Sequence, residues 1–255
     1  MDNKTKKSFL EKGFIIIDTG LDNNVLDEAR HDMDLINKSK DKKLNPNIYH
    51  YNKHPRLIEG WKKSDAIKKI SLAPKILQTL ETLYTKKPLP FSSINFTYGT
   101  EQPLHSDYFH FGSMPELMLS GVWVALEDID PDAGPLSIVP KSNKSPIVLP
   151  EDLGINEKPT NTKRIKENYT LYEEWVKNYI KEQKLEVFTP LLKKGECLIW
   201  AANLLHGAGK ITNPNKTRYS QVTHYHYEGC DFFYNPNFSS RDNYVERDVY
   251  SSLIS

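Results

Sequence analysis

Two cysteines, Cys197 and Cys230, are all that the 255-residue chain holds. They stand in neither a Cys-x-x-Cys pair nor a zinc-ribbon spacing, which argues against a disulfide framework and against a thiolate-bound zinc site. Both are expected to be packing residues. An excess of one charge is missing as well: 34 Lys and Arg face 33 Asp and Glu. No net field draws the chain to nucleic acid or to an anionic membrane. The lysine pairs Lys62-Lys63, Lys68-Lys69 and Lys86-Lys87 read as solvated helix faces. Long apolar runs are absent too. The longest near the start, Phe14 to Ile17, falls far short of the roughly 18 residues a membrane span needs, and Met1 to Lys7 leads into no apolar signal core. The expectation is a cytoplasmic protein with reduced thiols and with neither nucleic acid nor membrane as a partner.

What is present describes an ordinary globular chain, 38% hydrophobic and 26% charged. The length suits one domain, 1–255, with N-terminal helices over about 1–90 packed on a β core over about 91–230. The β-branched run Gly13 to Asp18 predicts a buried strand. Asp22 can cap a helix whose Leu26, Ala29, Met33 and Ile36 share a face. Residues 38–60 lack any period and contain Pro46 and Pro55, so a loop is expected there. Two helices should follow, over Ser64 to Leu72 and from Pro74 onward, with Lys87-Pro-Leu-Pro90 ending the second.

From Phe91 the texture changes to short β-rich runs. Strands are expected over Ser93 to Tyr98, His105 to Phe111, Leu119 to Glu127, Leu136 to Pro140, Phe188 to Leu192, Cys197 to Trp200 and Arg218 to Tyr227. A helix interrupts them, because Tyr172, Trp175, Val176, Tyr179 and Ile180 recur at helical spacing. Such spacing of strands suggests a sandwich or barrel.

His105-Ser-Asp107 is weak by itself. With eight histidines in the chain, roughly half a His-x-Asp match arises by chance. Its physical appeal is that residues i and i+2 of a strand face one side, so both side chains can converge on an ion. Two imidazoles and a carboxylate on one octahedral face, with the remaining positions open, suit a non-haem iron(II) oxygenase. His206, after the apolar run Cys197 to Leu205, is the best third ligand. Arg218 follows on a segment where Arg218, Ser220, Val222, His224 and His226 share a face. A guanidinium pointing inward needs an anion, which a carboxylate held by two hydrogen bonds would supply, with the Ser220 hydroxyl adding a third.

The order His105-x-Asp107, Gly121-Val-Trp-Val-Ala-Leu-Glu-Asp128, Asp132-Ala-Gly-Pro-Leu-Ser-Ile-Val-Pro140, Gly195-Glu196, His206 and Arg218 resembles the phytanoyl-CoA dioxygenase family. The resemblance runs from about Gly13 to Tyr227. It implies a mainly β fold with flanking α-helices, a double-stranded β-helix of the cupin-like jelly-roll kind. It further implies iron(II) on His105, Asp107 and His206, with 2-oxoglutarate ending on Arg218 and O₂ as the oxidant. Trp123 matches a tryptophan lining the cosubstrate pocket of relatives, and Asn95 a polar cosubstrate contact. The turn after Pro140 departs from the family's Gly-Ser-His, reading Lys141-Ser-Asn143. Halogenating relatives replace the carboxylate ligand with a small residue, so Asp107 favours hydroxylation.

The expected substrate is a small or carrier-linked organic molecule bordered by Tyr108, His110 and His224, between the segment Tyr108 to Phe111 and the aromatic stretch His224 to Tyr234. Two alternatives stand beside this reading: a non-catalytic jelly roll that binds a sugar or partner protein, and a cupin-like metalloenzyme without 2-oxoglutarate, which would have no use for Arg218. Nothing in the sequence sets the oligomeric state.

Overall fold

The computed structural model describes residues 3–39, 48–51, 54–235, 238–239 and 245–246. Gly13 takes a left-handed φ of 82°, which lets helix α1 (Asn3–Lys12) turn at once into strand β1 (Phe14–Asp18). The Asp22 carboxylate accepts from Asn24 N–H and starts α2 (Asn23–Lys38), which buries Leu26, Ala29, Met33 and Ile36. Strands β2 (Ile48–Tyr51) and β3 (His54–Ile58) follow. Ser64 caps α3 (Asp65–Ser71) through Ile67 N–H, and Pro74 opens α4 (Pro74–Tyr84). The chain continues with β4 (Pro88–Phe96), β5 (Phe111–Met114), β6 (Leu119–Ala125), β7 (Leu136–Ile138) and α5 (Thr162–Glu182). It closes with β8 (Glu196–Ala201), β9 (His206–Ala208), β10 (Ser220–Tyr227), β11 (Asp231–Tyr234) and β12 (Val245–Glu246).

The strands pair antiparallel. Seven form one sheet in the order β1-β8-β6-β10-β4-β3-β2, accompanied by the pair β7-β9 and the three-stranded sheet β12-β11-β5. Alternation along the central strands sorts their side chains into two cores. Val122, Val124, Cys197, Ile199, Tyr225 and Tyr227 pack against the helices. Trp123, Ala125, Leu198, Trp200 and Val222 face inward with Leu136 and Ile138 of the opposing pair. A strand buried on both sides reads as a continuous apolar run, which is why β6 shows no alternation in sequence. This is the double-stranded β-helix, a jelly roll with α1 to α4 on one face and α5 packed separately against Phe109, Val139 and Leu205.

Outside the metal centre, three expected elements differ. The loop expected over 38–60 holds the β2-β3 hairpin; Pro46 lies outside the described residues. Pro55 is compatible with β3 because the ladder to β4 covers Arg56 to Ile58, so no bond to β4 requires its missing N–H. Pro88 and Pro90, read as a terminator, instead begin β4 where it has β10 on one side alone, beside a register shift at His224/Tyr225. Phe188 to Leu192 makes one bridge, Phe188 to Ile138, rather than a strand. Among the described residues no helix is long and apolar enough to cross a membrane.

Candidate metal centre

A strand was expected over His105 to Phe111. Instead, His105 forms a single bridge with His206, through His105 N–H to His206 O and His206 N–H to His105 O, both 2.8 Å. Ser106 Oγ then accepts from Tyr108 N–H at 3.1 Å and turns the chain into a 3-10 turn, Asp107–Phe109. The convergence of His105 and Asp107 thus comes from a bridge followed by a turn, not from the pleat of one strand. The bridge also brings His206 alongside. One ligand atom from each of His105, Asp107 and His206 lies within 4.8 Å of the others, and all three residues are buried.

The imidazoles are oriented from behind. His105 Nδ1–H donates to Pro103 O and His206 Nδ1–H to Leu204 O, each at 2.9 Å. A carbonyl can only accept, so each ring carries its proton on Nδ1 and offers the Nε2 lone pair inward. His206 Nε2 stands 3.5 Å from Asp107 Oδ1. Burial by itself would raise the Asp107 pKa, but the imidazoles of His206 and His224 beside it win and hold the carboxyl well below its usual range. Burial pushes His105 well below the ordinary histidine value, with His206 and His110 adding to it. His206 goes the other way: burial lowers it, but Asp107 more than compensates. A buried anion between two lone-pair donors is a donor set that fits a divalent cation.

Arg218 is buried just ahead of β10. Its backbone N–H donates to Thr97 O, two residues ahead of β10. The guanidinium is buried over the rings of Phe96 and Trp123, with centroids 5.5 and 5.9 Å away, and Nη1 donates to Gly134 O at 2.8 Å. Nε has no partner, and among the described residues no carboxylate lies within ion-pairing reach of the group. Burial, and after it the like charge of Arg56, pushes its pKa down to about 9. Such a cation calls for an anion from outside the chain. Ser220 Oγ donates to Arg218 O and is buried on the same face.

Other expected contacts divide. His110 packs edge-on to the His105 ring at 5.4 Å, with its Nε2 buried and unpartnered and its pKa pushed to about 4 by burial. His224 Nε2 stands 3.5 Å from Asp107 Oδ2, so it touches the carboxylate ligand itself. Tyr108 turns into an apolar cluster with Phe91, Leu119, Ala202 and Phe232. The two segments expected to border the substrate are in fact neighbours, since β5 pairs with β11 from Phe111↔Tyr234 to Met114↔Asp231. Asn95 is not brought to the site. It lies opposite Gln221 and donates to its Oε1 at 3.1 Å on the helix-facing side, where Gln221 bonds Ile67 O and Ser71 Oγ. Alternation sets this, because Ile94 and Phe96 take the inward positions.

Two neighbours of the ligands went unread in the sequence. Trp200 Nε1–H donates to Asp107 Oδ2 at 2.7 Å, and its ring lies 4.5 Å from that of His206. Gln102 Nε2 stands 3.2 Å from His105 Nε2, and its Oε1 accepts from Arg56 Nη2 at 2.8 Å. The signal for Trp200 was Gly121, a glycine inside an apolar strand, which marks a close approach by something bulky.

No curated protein matches the chain. Solved structures do, at identities that establish fold alone. The non-heme alpha ketoglutarate dependent epimerase SnoN from nogalamycin biosynthesis superposes with a TM-score of 0.67 at 17% identity, over 92% of this chain and 85% of that one. EctD from S. alaskensis with bound Fe gives 0.69 at 16% identity, over 97% and 82%. The alpha ketoglutarate dependent carbocyclase SnoK, also from nogalamycin biosynthesis, gives 0.67 at 15%, over 95% and 89%. A family model described as phytanoyl-CoA dioxygenase (PhyH) matches residues 9–219. That span takes in the bridge, the turn, both histidines, the carboxylate and the buried arginine, and the chain belongs to the phytanoyl-CoA dioxygenase family.

Proposed function

We propose that the chain is an iron(II)- and 2-oxoglutarate-dependent oxygenase that hydroxylates a small or carrier-linked organic substrate. The observation that carries this reading is the pairing of a buried His105/Asp107/His206 cluster with Arg218, a buried cation that has no carboxylate partner among the described residues. A metal site alone would fit many cupin-like enzymes. A buried, unpaired arginine in the same interior adds a seat for a carboxylate, and 2-oxoglutarate carries one at each end. Matching structures whose descriptions name alpha ketoglutarate or 2-oxoglutarate support the same reading.

When bound, iron(II) supplies the redox chemistry that couples decarboxylation of 2-oxoglutarate to oxidation of a C–H bond, so that O₂, 2-oxoglutarate and substrate give succinate, CO₂ and alcohol. The chain supplies everything else. His105 and His206 present neutral lone pairs, and Asp107 balances part of the metal's charge. Arg218, clamped over Phe96 and Trp123, orients the cosubstrate through its distal carboxylate. The aromatic wall of Phe91, Phe111 and Phe232 around His224 keeps bulk water from the metal's neighbourhood. Hydroxylation is favoured over halogenation because Asp107 occupies the position a halide would need. A cytoplasmic location suits the two free thiols.

The test is succinate formation from 2-oxoglutarate by the iron(II)-loaded protein against pools of candidate substrates. Wild type should release succinate in step with the oxidised product, and Asp107→Ala should release none. Succinate formation that persists in Asp107→Ala would refute the assignment.

A further inference from the structure

Asp107 has two carboxylate oxygens, and the structure treats them differently. Oδ1 faces His206 Nε2 at 3.5 Å. Oδ2 is turned the other way, accepting from Trp200 Nε1–H at 2.7 Å with His224 Nε2 at 3.5 Å. The two groups that meet Oδ2 come from strands that are not neighbours. Between β8 and β10 lies β6, and in the sheet's register Gly121 is opposite both Trp200 and His224. Trp200, Gly121 and His224 therefore form a single row across three strands.

The middle of that row has to be empty. A Cβ on Gly121 would fall 2.2 Å from Trp200 Cε2 and Cζ2 and 2.6 Å from Nε1, distances no side chain tolerates. Because Gly121 has none, the indole of Trp200 lies across β6 and delivers its N–H to the carboxylate. Its ring meanwhile packs on His206, so one side chain touches two of the three ligands.

Resting on the metal-binding reading of His105, Asp107 and His206, we infer that Trp200, Gly121 and His224 are a clamp on Asp107 Oδ2 that leaves Oδ1 alone to face the metal. Trp200 and His224 are positioning residues, and Gly121 is the space that admits Trp200. With Oδ2 held by the Trp200 N–H and with His224 against it, the carboxylate is kept from swinging to chelate the ion with both oxygens, so a ligand position is kept for cosubstrate and O₂.

The experiment titrates iron(II) alone into the full-length protein without oxygen, in competition with a chelator, and records the visible bands of cobalt(II) bound in its place. Trp200→Phe keeps a ring and removes the N–H. It should weaken iron(II) binding by about 10–100-fold, the usual loss when a group behind a ligand is removed, and shift the cobalt(II) bands. A role confined to packing would leave those bands where they are. Gly121→Ala contacts no ligand, yet it should weaken iron(II) comparably. Because both changes break one hydrogen bond, the double variant should lose no more than the worse single one. If a thermal melt shows that Trp200→Phe does not fold, Gly121→Ala and His224→Phe carry the same comparison. Wild-type affinity and unshifted bands in the folded variants overturn the clamp, and fully additive losses remove Gly121 from it. A wild type that holds no iron(II) overturns the metal reading with it, an outcome distinct from a wild type that binds and variants that bind equally.

Discussion

Arg218 and His226 are buried polar groups whose burial runs against the fold. Removing a buried, ion-paired arginine is costly because it leaves a stranded carboxylate. Arg218 has no such partner among the described residues, so its burial costs stability that an incoming anion restores. Arg218→Met should therefore leave the melting temperature of the metal-free protein unchanged or raise it, while weakening 2-oxoglutarate by about 30-fold or more, the equivalent of about 2–5 kcal/mol for truncating one side of a buried charged contact. Equal 2-oxoglutarate affinity in calorimetry would remove Arg218 from the cosubstrate site. His226 sits farther along the inward face of β10, with both ring nitrogens unpartnered and burial pushing its pKa to about 4. Unfolded, it takes up a proton near the ordinary value of 6.5; folded, it resists until about 4. Its contribution is thus fully present above 6.5, lost progressively as pH falls toward 4, and constant below. Melting temperatures between those limits should fall less steeply for His226→Phe than for wild type, and parallel curves would contradict the assignment.

Among the elements, those governed by neighbours in sequence were legible and those governed by distant pairing were not. The Asp22 cap of α2, the span of α3, the Pro74 start of α4 and the period of α5 are local signals, and each stands where the sequence puts it. The turn that carries Asp107, next to His105 of the candidate metal centre, is different. Its shape is set by the His206 bridge and by α5, neither of which lies near it in the chain. Tyr172 of α5 stacks on Phe109 at 3.8 Å, and its hydroxyl accepts from Ser106 N–H at 2.8 Å, between the first two ligands. The helix inserted among the strands is thus a brace for the metal turn. Tyr172→Phe would leave a buried N–H unpaired at a cost of about 1–3 kcal/mol. In a chain of this size that lowers the melting temperature by roughly 2–10 °C. Iron(II) affinity should fall as well, whereas Leu171→Ala, on the exposed side of the same helix, should change neither. If Tyr172→Phe lowered stability but left iron(II) affinity intact, α5 would support the fold without bracing the site.

For the whole molecule, composition and strand spacing already pointed to a helix-flanked β fold, and the ordered motifs from His105 to Arg218 pointed to its chemistry. The buried His105, Asp107 and His206 cluster was legible from the order of motifs around it, not from His-x-Asp itself, which chance alone can supply. What surrounds it was hidden, since Trp200, Gly121 and His224 become one group only when three strands come into register. Asn95 shows the same limit from the other side, its position in β4 being right for a pocket and its facing wrong. A molecule built around a metal and an anion should gain stability from both. At concentrations about 100 times Kd, each ligand adds about 2.7 kcal/mol, so iron(II) with 2-oxoglutarate should raise the melting temperature by roughly 10–20 °C. A chelator should reverse the metal's share. The central claim is that metal and cosubstrate meet in one interior, and the most direct measurement is the visible absorption of the oxygen-free, iron(II)-loaded protein during titration with 2-oxoglutarate. A metal-to-ligand charge-transfer band should appear and saturate at one equivalent, need far more 2-oxoglutarate in Arg218→Met, and be missing in Asp107→Ala. Iron-loaded wild type that develops no such band would contradict the claim.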